Sequence, residues 1–436
     1  MWSAIPFLPV AVWAAIESVA GRSQTITLKS RAITSNTTND TRWRVSNPRQ
    51  KRNDSTAVLP VPLADWFDRT DNQWYSNISI GVPPQDITVL WDTGSNILLI
   101  PGSNCTTCGN RTLFKPQSSL TFMPLPYSDT SIEFSTGPDS IPLAEPEGAR
   151  GIIAFDEVAV GEDFDNDGLV YEGQAFLLCD EYAPSLARMP IDGIIGLAPQ
   201  NTSAIGEPSF FWNLWATGAL DAPVFALYIP GAGARGAGTA ELALGGVDPD
   251  RFTGDITYLD LSDDPTMFLG QWVLEQTALY INGSADALSP PSASPPPRTY
   301  AVLDSGTPFI QTPDYDTARA LYARVSPAIR QIDPAGAWGA ACDEVERVAA
   351  VAEFAFALRG ADGTQINVTL PRAAFNLGEY PGQPGVCQTV FNNYVLPEGG
   401  QAFWLLGSPL LKAYYTVWDG LNRKVGWAQL KGEEGA

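Results

Sequence analysis

Short apolar runs punctuated by glycine, proline, asparagine and aspartate recur along most of this chain, the pattern of half-buried β-strands rather than long amphipathic helices. Residues 77–80 and 87–91 predict two strands joined through Gly81-Val82-Pro83-Pro84, a turn signal. The same texture continues to about residue 228 and predicts an all-β unit. Helices are expected to be few and short. One is predicted over 208–215. A second is predicted over 318–325, opened by Thr312-Pro313-Asp314 with Thr312 as the cap and Pro313 in the first turn.

One piece of this pattern occurs twice. The run 87–91 leads into Asp92-Thr93-Gly94-Ser95, and the run 300–303 leads into Asp304-Ser305-Gly306-Thr307, with the two aspartates 212 positions apart. Each loop is followed by two aliphatic residues and a glycine, Ile194-Ile195-Gly196 and Leu405-Leu406-Gly407, with those glycines 211 positions apart. Two landmarks repeating at nearly one offset imply a duplicated unit, each half contributing an Asp loop and an aliphatic strand that crosses behind it. The chain is therefore expected to form two similar β lobes around one shared site.

Composition narrows the chemistry. The net charge of -22 and pI near 4.3 argue against nucleic-acid binding, which needs a basic surface, and fit a working pH low enough to neutralise many carboxylates. Histidine is absent, which excludes Ser-His-Asp and Cys-His nucleophile systems, histidine-ligated zinc and histidine bases. Carboxylates remain as the acid/base groups. Of the five cysteines, Cys342 and Cys387 are the natural pair of the second half; Cys105 pairs with Cys108, or one of them pairs with Cys179. No second ligand pair stands near Cys105 and Cys108, so no metal site is expected there.

The chain's first stretch differs from its body. Residues 1–20 combine a short, Pro-interrupted apolar run with Ser18-Val19-Ala20, the pattern of a secretory signal and its cleavage site. Residues 21–52 hold eight basic residues against Asp40 alone and end in Lys51-Arg52. A basic segment beside an acidic body reads as a propeptide held partly by charge and released by cleavage after the dibasic pair. The division expected is signal 1–20, propeptide 21–52, first β lobe 53–228 and second β lobe 229–436. Nine Asn-X-Ser/Thr sequons, at Asn36, Asn39, Asn53, Asn77, Asn104, Asn110, Asn201, Asn282 and Asn367, suit a secreted glycoprotein. The glycine-rich stretch 231–238 lacks the Gly-Lys-Ser/Thr ending of a phosphate loop and is expected near the junction of the lobes. Residues 289–297 read as an exposed Pro/Ser excursion, and the carboxy end has no apolar tail of the kind a lipid anchor replaces.

A single Asp in a glycine turn is usually a turn-maker. Two such loops facing each other across a pseudo-twofold axis bring two carboxyls so close that they share a proton, giving an acid and a base in one site. The base can take a proton from a water between them while the acid protonates a substrate carbonyl oxygen.

Taken with Ile191-Asp192-Gly193-Ile194-Ile195-Gly196, Leu244-Gly245-Gly246-Val247-Asp248 and the terminal run from Trp404 through Tyr415 to Trp427, these loops resemble the pepsin-like aspartic proteases over roughly residues 74–428. The resemblance implies a bilobal fold, aspartic endopeptidase activity through Asp92 and Asp304, no cofactor or metal, and an extended peptide or unfolded protein as substrate. It also implies that Thr93 and Ser305 tie the loops together, that Ser95 and Thr307 hydrogen-bond the outer carboxylate oxygens, and that Gly94 and Gly306 belong to the same support. A secreted monomer, inhibited by its own propeptide, is expected.

Two departures from the family pattern stand out. Phe134 in Ile132-Glu133-Phe134-Ser135-Thr136-Gly137 occupies the flap position where relatives carry tyrosine, and Leu99 stands where they carry the tryptophan that bonds it. Loss of both ends of one polar contact leaves no unpaired group and implies an apolar flap hinge. Phe134, Ser135 and Thr136 are the expected substrate-covering residues, with an enlarged lid over 138–150 before a strand at 151–155. A silent peptide-binding relative is the competing reading. A two-carboxylate glycosidase is disfavoured because its carboxyls flank a sugar and need no duplicated loops.

Overall fold

Each Asp loop caps a strand, and the strands behind it repeat the same arrangement in both halves of the chain. The computed structural model describes residues 58–65, 74–137, 141–161, 168–199, 205–229, 240–264, 270–286, 298–393 and 403–431. The expected signal, propeptide, glycine-rich loop, Pro/Ser excursion and the last five residues lie outside these.

In the first half, Gln85–Asp92 pairs in parallel with Gly193–Gly196, which pairs antiparallel with Leu98–Pro101, itself parallel to Leu169–Tyr182. In the second half, Thr299–Asp304 pairs in parallel with Trp404–Gly407, which pairs antiparallel with Ile310–Thr312, itself parallel to Phe391–Asn393. The register coincides as well: Asp92 lies opposite Gly196 and Asp304 opposite Gly407. Parallel neighbours buried on both faces read as continuous aliphatic runs, which is how 194–195 and 405–406 appear in the sequence. The glycines are required by packing. A Cβ on Gly196 would sit 2.4 Å from the Ser95 carbonyl oxygen, and one on Gly407 would sit 2.2 Å from that of Phe309.

A shared antiparallel ladder joins the halves. It runs Phe252–Asp260, Lys424–Leu430, Tyr414–Asp419, Val224–Tyr228, Ala240–Leu244, Leu59–Asp65 and on into Trp74–Ile80, so it draws strands from either side of residue 228. The second lobe adds an eight-stranded sheet and a four-stranded one. At the junction Phe225 stacks on Trp418, and Trp272 meets Trp418 edge-on at 5.1 Å, all three rings buried. The indole of Trp272 also donates to the Leu197 carbonyl, fastening the second lobe to the first.

The helices are few, as expected, but their details differ. The predicted first helix is Phe210–Ala216, and the second is Tyr315–Val325. Its cap is Asp314, whose side chain accepts from the Thr317 N–H, and not Thr312, which ends a strand instead. Cys342–Val351 and the short turns Pro184–Arg188 and Ser408–Leu411 were not anticipated. The disulfides are Cys105–Cys108 and Cys342–Cys387, which leaves Cys179 a buried free thiol. Among the described residues no helix is long and apolar enough to cross a membrane.

Candidate active site

The two loops are clasped through their own hydroxyls. The Thr93 N–H donates to Ser305 Oγ at 3.0 Å, and the Ser305 N–H donates to Thr93 Oγ1 at 2.9 Å. Each hydroxyl then donates onward into the other half, Thr93 to the Leu303 carbonyl and Ser305 to that of Trp91. All four bonds are buried, where a hydrogen bond is electrostatically strongest and most costly to lose. Only a small residue carrying both donor and acceptor can fill these two positions.

The clasp brings the carboxyls together. Asp92 Oδ1 accepts from the Gly94 N–H and Asp304 Oδ1 from the Gly306 N–H, each at 2.8 Å. A Cβ on Gly94 would sit 2.6 Å from the Asp304 carboxyl carbon, and one on Gly306 would sit 2.4 Å from Asp92 Oδ1. Each carboxyl thus lies over the other loop's glycine, and no larger residue leaves room for the pair. Burial first, and then the charge and hydrogen bond of Asp92, push the Asp304 pKa well above the usual carboxylate range. The hydroxyl of Thr307 and the Gly306 N–H act the opposite way.

The outer oxygens are not treated alike. Thr307 Oγ1 donates to Asp304 Oδ2 at 2.7 Å, whereas Ser95 Oγ is buried and meets no partner, so the expected bond to the outer oxygen of Asp92 is not made. The symmetry of the backbone is therefore broken at this pair of hydroxyls.

The flap is the hairpin of Met123–Phe134 and Glu147–Val160, with Phe134 opposite Glu147. Its second strand begins at Glu147 rather than at 151, so the connection spans 135–146. Phe134 is half-buried against an apolar cluster holding Leu90, Leu99, Ile132, Leu186 and Ile194. The two departures thus meet in one oily hinge. Thr136, at the tip, places its hydroxyl 2.9 Å from that of Thr307. Between flap and loops lies a cleft of about 210 Å³. Its walls are mixed, the apolar Leu90, Phe134, Leu186, Val302, Phe403 and Leu405 standing beside polar side chains that include Glu133, Ser185 and Gln271.

Several supporting residues carried no recognisable signal, apart from Asp192, which stands in the Ile191-Asp192-Gly193 run of the family resemblance. Gln271 Nε2 donates to the Gly94 carbonyl, and Ser408 Oγ to that of Ser305, each bracing one loop from behind. Asp192 takes bonds from the Thr88 and Thr112 N–H groups, and the Arg111 guanidinium donates to the carbonyls of Cys108, Leu186, Met189 and Ile191. Leu186 lines the cleft, so Arg111 fixes that wall. An arginine beside a sequon gives no hint of this in sequence, because its acceptors are main-chain carbonyls up to 80 positions away. Among the described residues no group of acidic or cysteine side chains is placed to hold a metal ion.

Paired, buried carboxyls on two duplicated loops beneath a β-hairpin flap are the arrangement an aspartic hydrolase calls for. The family model for the eukaryotic aspartyl proteases matches residues 73–430, and the chain belongs to that family. It is an aspartic-type endopeptidase. Pepsin-2B of Gadus morhua is 27% identical over 363 residues, covering 83% of this chain and 97% of that protein. Pepsin A of Suncus murinus is 27% identical over 378 residues, covering 86% and 84%, and Pepsin A of Sus scrofa 27% over 388 residues, covering 88% and 87%.

Proposed function

We propose that Asp92 and Asp304 act as one proton-sharing dyad that hydrolyses peptide bonds at acid pH. The observation that carries this is the buried pair itself, each carboxyl over the other loop's glycine, with one member held protonated far above its ordinary range. A single shared proton is the established behaviour of this class of dyad. The ionised carboxyl takes a proton from a water molecule, whose oxygen attacks the scissile carbonyl. The protonated carboxyl gives its proton to the carbonyl oxygen, producing a neutral tetrahedral diol. Collapse of the diol breaks the C–N bond, the nitrogen leaving as an amine with a proton returned through the dyad.

The apolar side chains among the mixed cleft walls, Leu90, Phe134, Leu186, Val302, Phe403 and Leu405, support bulky hydrophobic residues flanking the scissile bond. The signal-like and basic segments support secretion as a zymogen, with the segment ending at Arg52 acting as inhibitor until its removal. A peptide-library digest in which cleavage followed acidic or basic residues would contradict the preference. For the dyad, Asp92→Asn is the direct test. It keeps the shape and the Gly94 N–H contact but takes away one ionisable group. The expected result is a loss of at least about 10³-fold in kcat with a folded protein, and residual turnover within tenfold of the parent would contradict the reading.

A further inference from the structure

The flap reaches the dyad through a directed pair of hydroxyls. Thr136 Oγ1 lies 2.9 Å from Thr307 Oγ1, and Thr307 Oγ1 donates to Asp304 Oδ2 at 2.7 Å. A hydroxyl carries one hydrogen. Since Thr307 commits its own to Asp304, the outer contact is one in which Thr136 donates. The first loop has no such chain, its hydroxyl Ser95 Oγ being buried without a partner.

We propose that Thr136 is a positioning residue for the dyad: in the free enzyme it pins the Thr307 hydroxyl onto Asp304 Oδ2, favouring the ionised form of that carboxyl, and an entering peptide releases the pin. This inference rests on the dyad reading above. Hydrogen bonds in a chain polarise one another, and a donor aimed at a carboxylate stabilises its charged form. A closed flap therefore acts on Asp304 in two opposite senses. Its cover removes water and favours the protonated form, while its hydroxyl, acting through Thr307, favours the ionised one. Among the described residues, the other ionisable side chains lining the cleft are Asp92, which faces Asp304 from the first loop, and Glu133, exposed on the flap strand, and no cation lines it. A contact of 2.9 Å leaves no room for a peptide backbone between the two hydroxyls, so a peptide crossing there parts them.

The opposed senses make the sign of the effect decisive. The pH dependence of kcat/KM reports the free enzyme and that of kcat the complex. Thr136→Val keeps the side-chain shape and removes the donor. The alkaline limb of kcat/KM, set by the carboxyl with the raised pKa, is expected to move to higher pH by about half a unit, the size of a modest change in one hydrogen bond to a charged group. Thr136→Ser returns it to the parent position, and the alkaline limb of kcat is the same in all three proteins. The carboxyl ¹³C resonance of Asp304, followed through the same pH range, reads the free-enzyme shift without turnover. A shift to lower pH would mean that the flap has opened and rehydrated Asp304. That result, coincident limbs, or a serine variant that tracks valine would overturn the proposal. A folded parent protein that cleaves nothing would remove the dyad reading instead, and the resonance would still report on Thr136.

Discussion

Asp304 is the residue on which the proposed chemistry and the stability of this protein meet. Its carboxyl is buried against Asp92, and its pKa is raised chiefly by desolvation. A raised carboxyl pKa means that the native state holds a proton the unfolded chain releases. Its contribution to stability is fully present below the unfolded value, about 3.9, and is lost as pH rises through the folded one. Asp304→Asn replaces the protonated carboxyl with a neutral amide of the same shape. The variant is therefore expected to melt with the parent at pH 3 and above it at pH 7, by on the order of 3 °C for a protein of this size. Calorimetry at the two pH values checks this. A variant less stable than the parent by the same margin at both would show that folding does not shift the Asp304 pKa, and a larger deficit at pH 7 that the native state prefers the ionised form.

At the scale of elements, the site depends on strands crossing close behind the loops. Gly407 faces Asp304 across a parallel pair and lies against the carbonyls of Thr307 and Phe309. Gly407→Ala is expected to push these apart, lowering stability by about 3 kcal/mol, at the upper end for overpacking, and reducing kcat through a displaced Asp304. Urea unfolding and single-turnover kinetics read the two effects, and a variant with parental stability would contradict the packing account. This relationship was legible in the sequence because identical packing demands produced the same Gly in both halves at nearly the same offset. The cap at Asp314 was not, since threonine and aspartate are both good caps and only the path of the chain decides between them. The Arg111 brace was not legible either: main-chain acceptors leave no residue-type signature. The Ser95 asymmetry was hidden for a related reason. Serine and threonine supply the same hydroxyl, and the flap's contact with only one of them is a tertiary fact.

At the scale of the whole molecule, two lobes joined by one ladder present a dyad that neither half could form alone. The two carboxyls, the clasp of Thr93 and Ser305 and the Trp272 fastening all cross between halves. The acidic composition and the proposed shared proton agree on one working range, since both become less favourable as carboxylates ionise toward neutral pH. The most direct measurement is hydrolysis of an unfolded protein substrate from pH 2 to 7, with and without a statine-type inhibitor, after removal of the segment ending at Arg52. The account predicts activity confined to acid pH and abolished by the inhibitor, which presents a hydroxyl where the tetrahedral diol would form. Activity that persists at pH 7, resists the inhibitor, or is absent at every pH from a folded protein would contradict it.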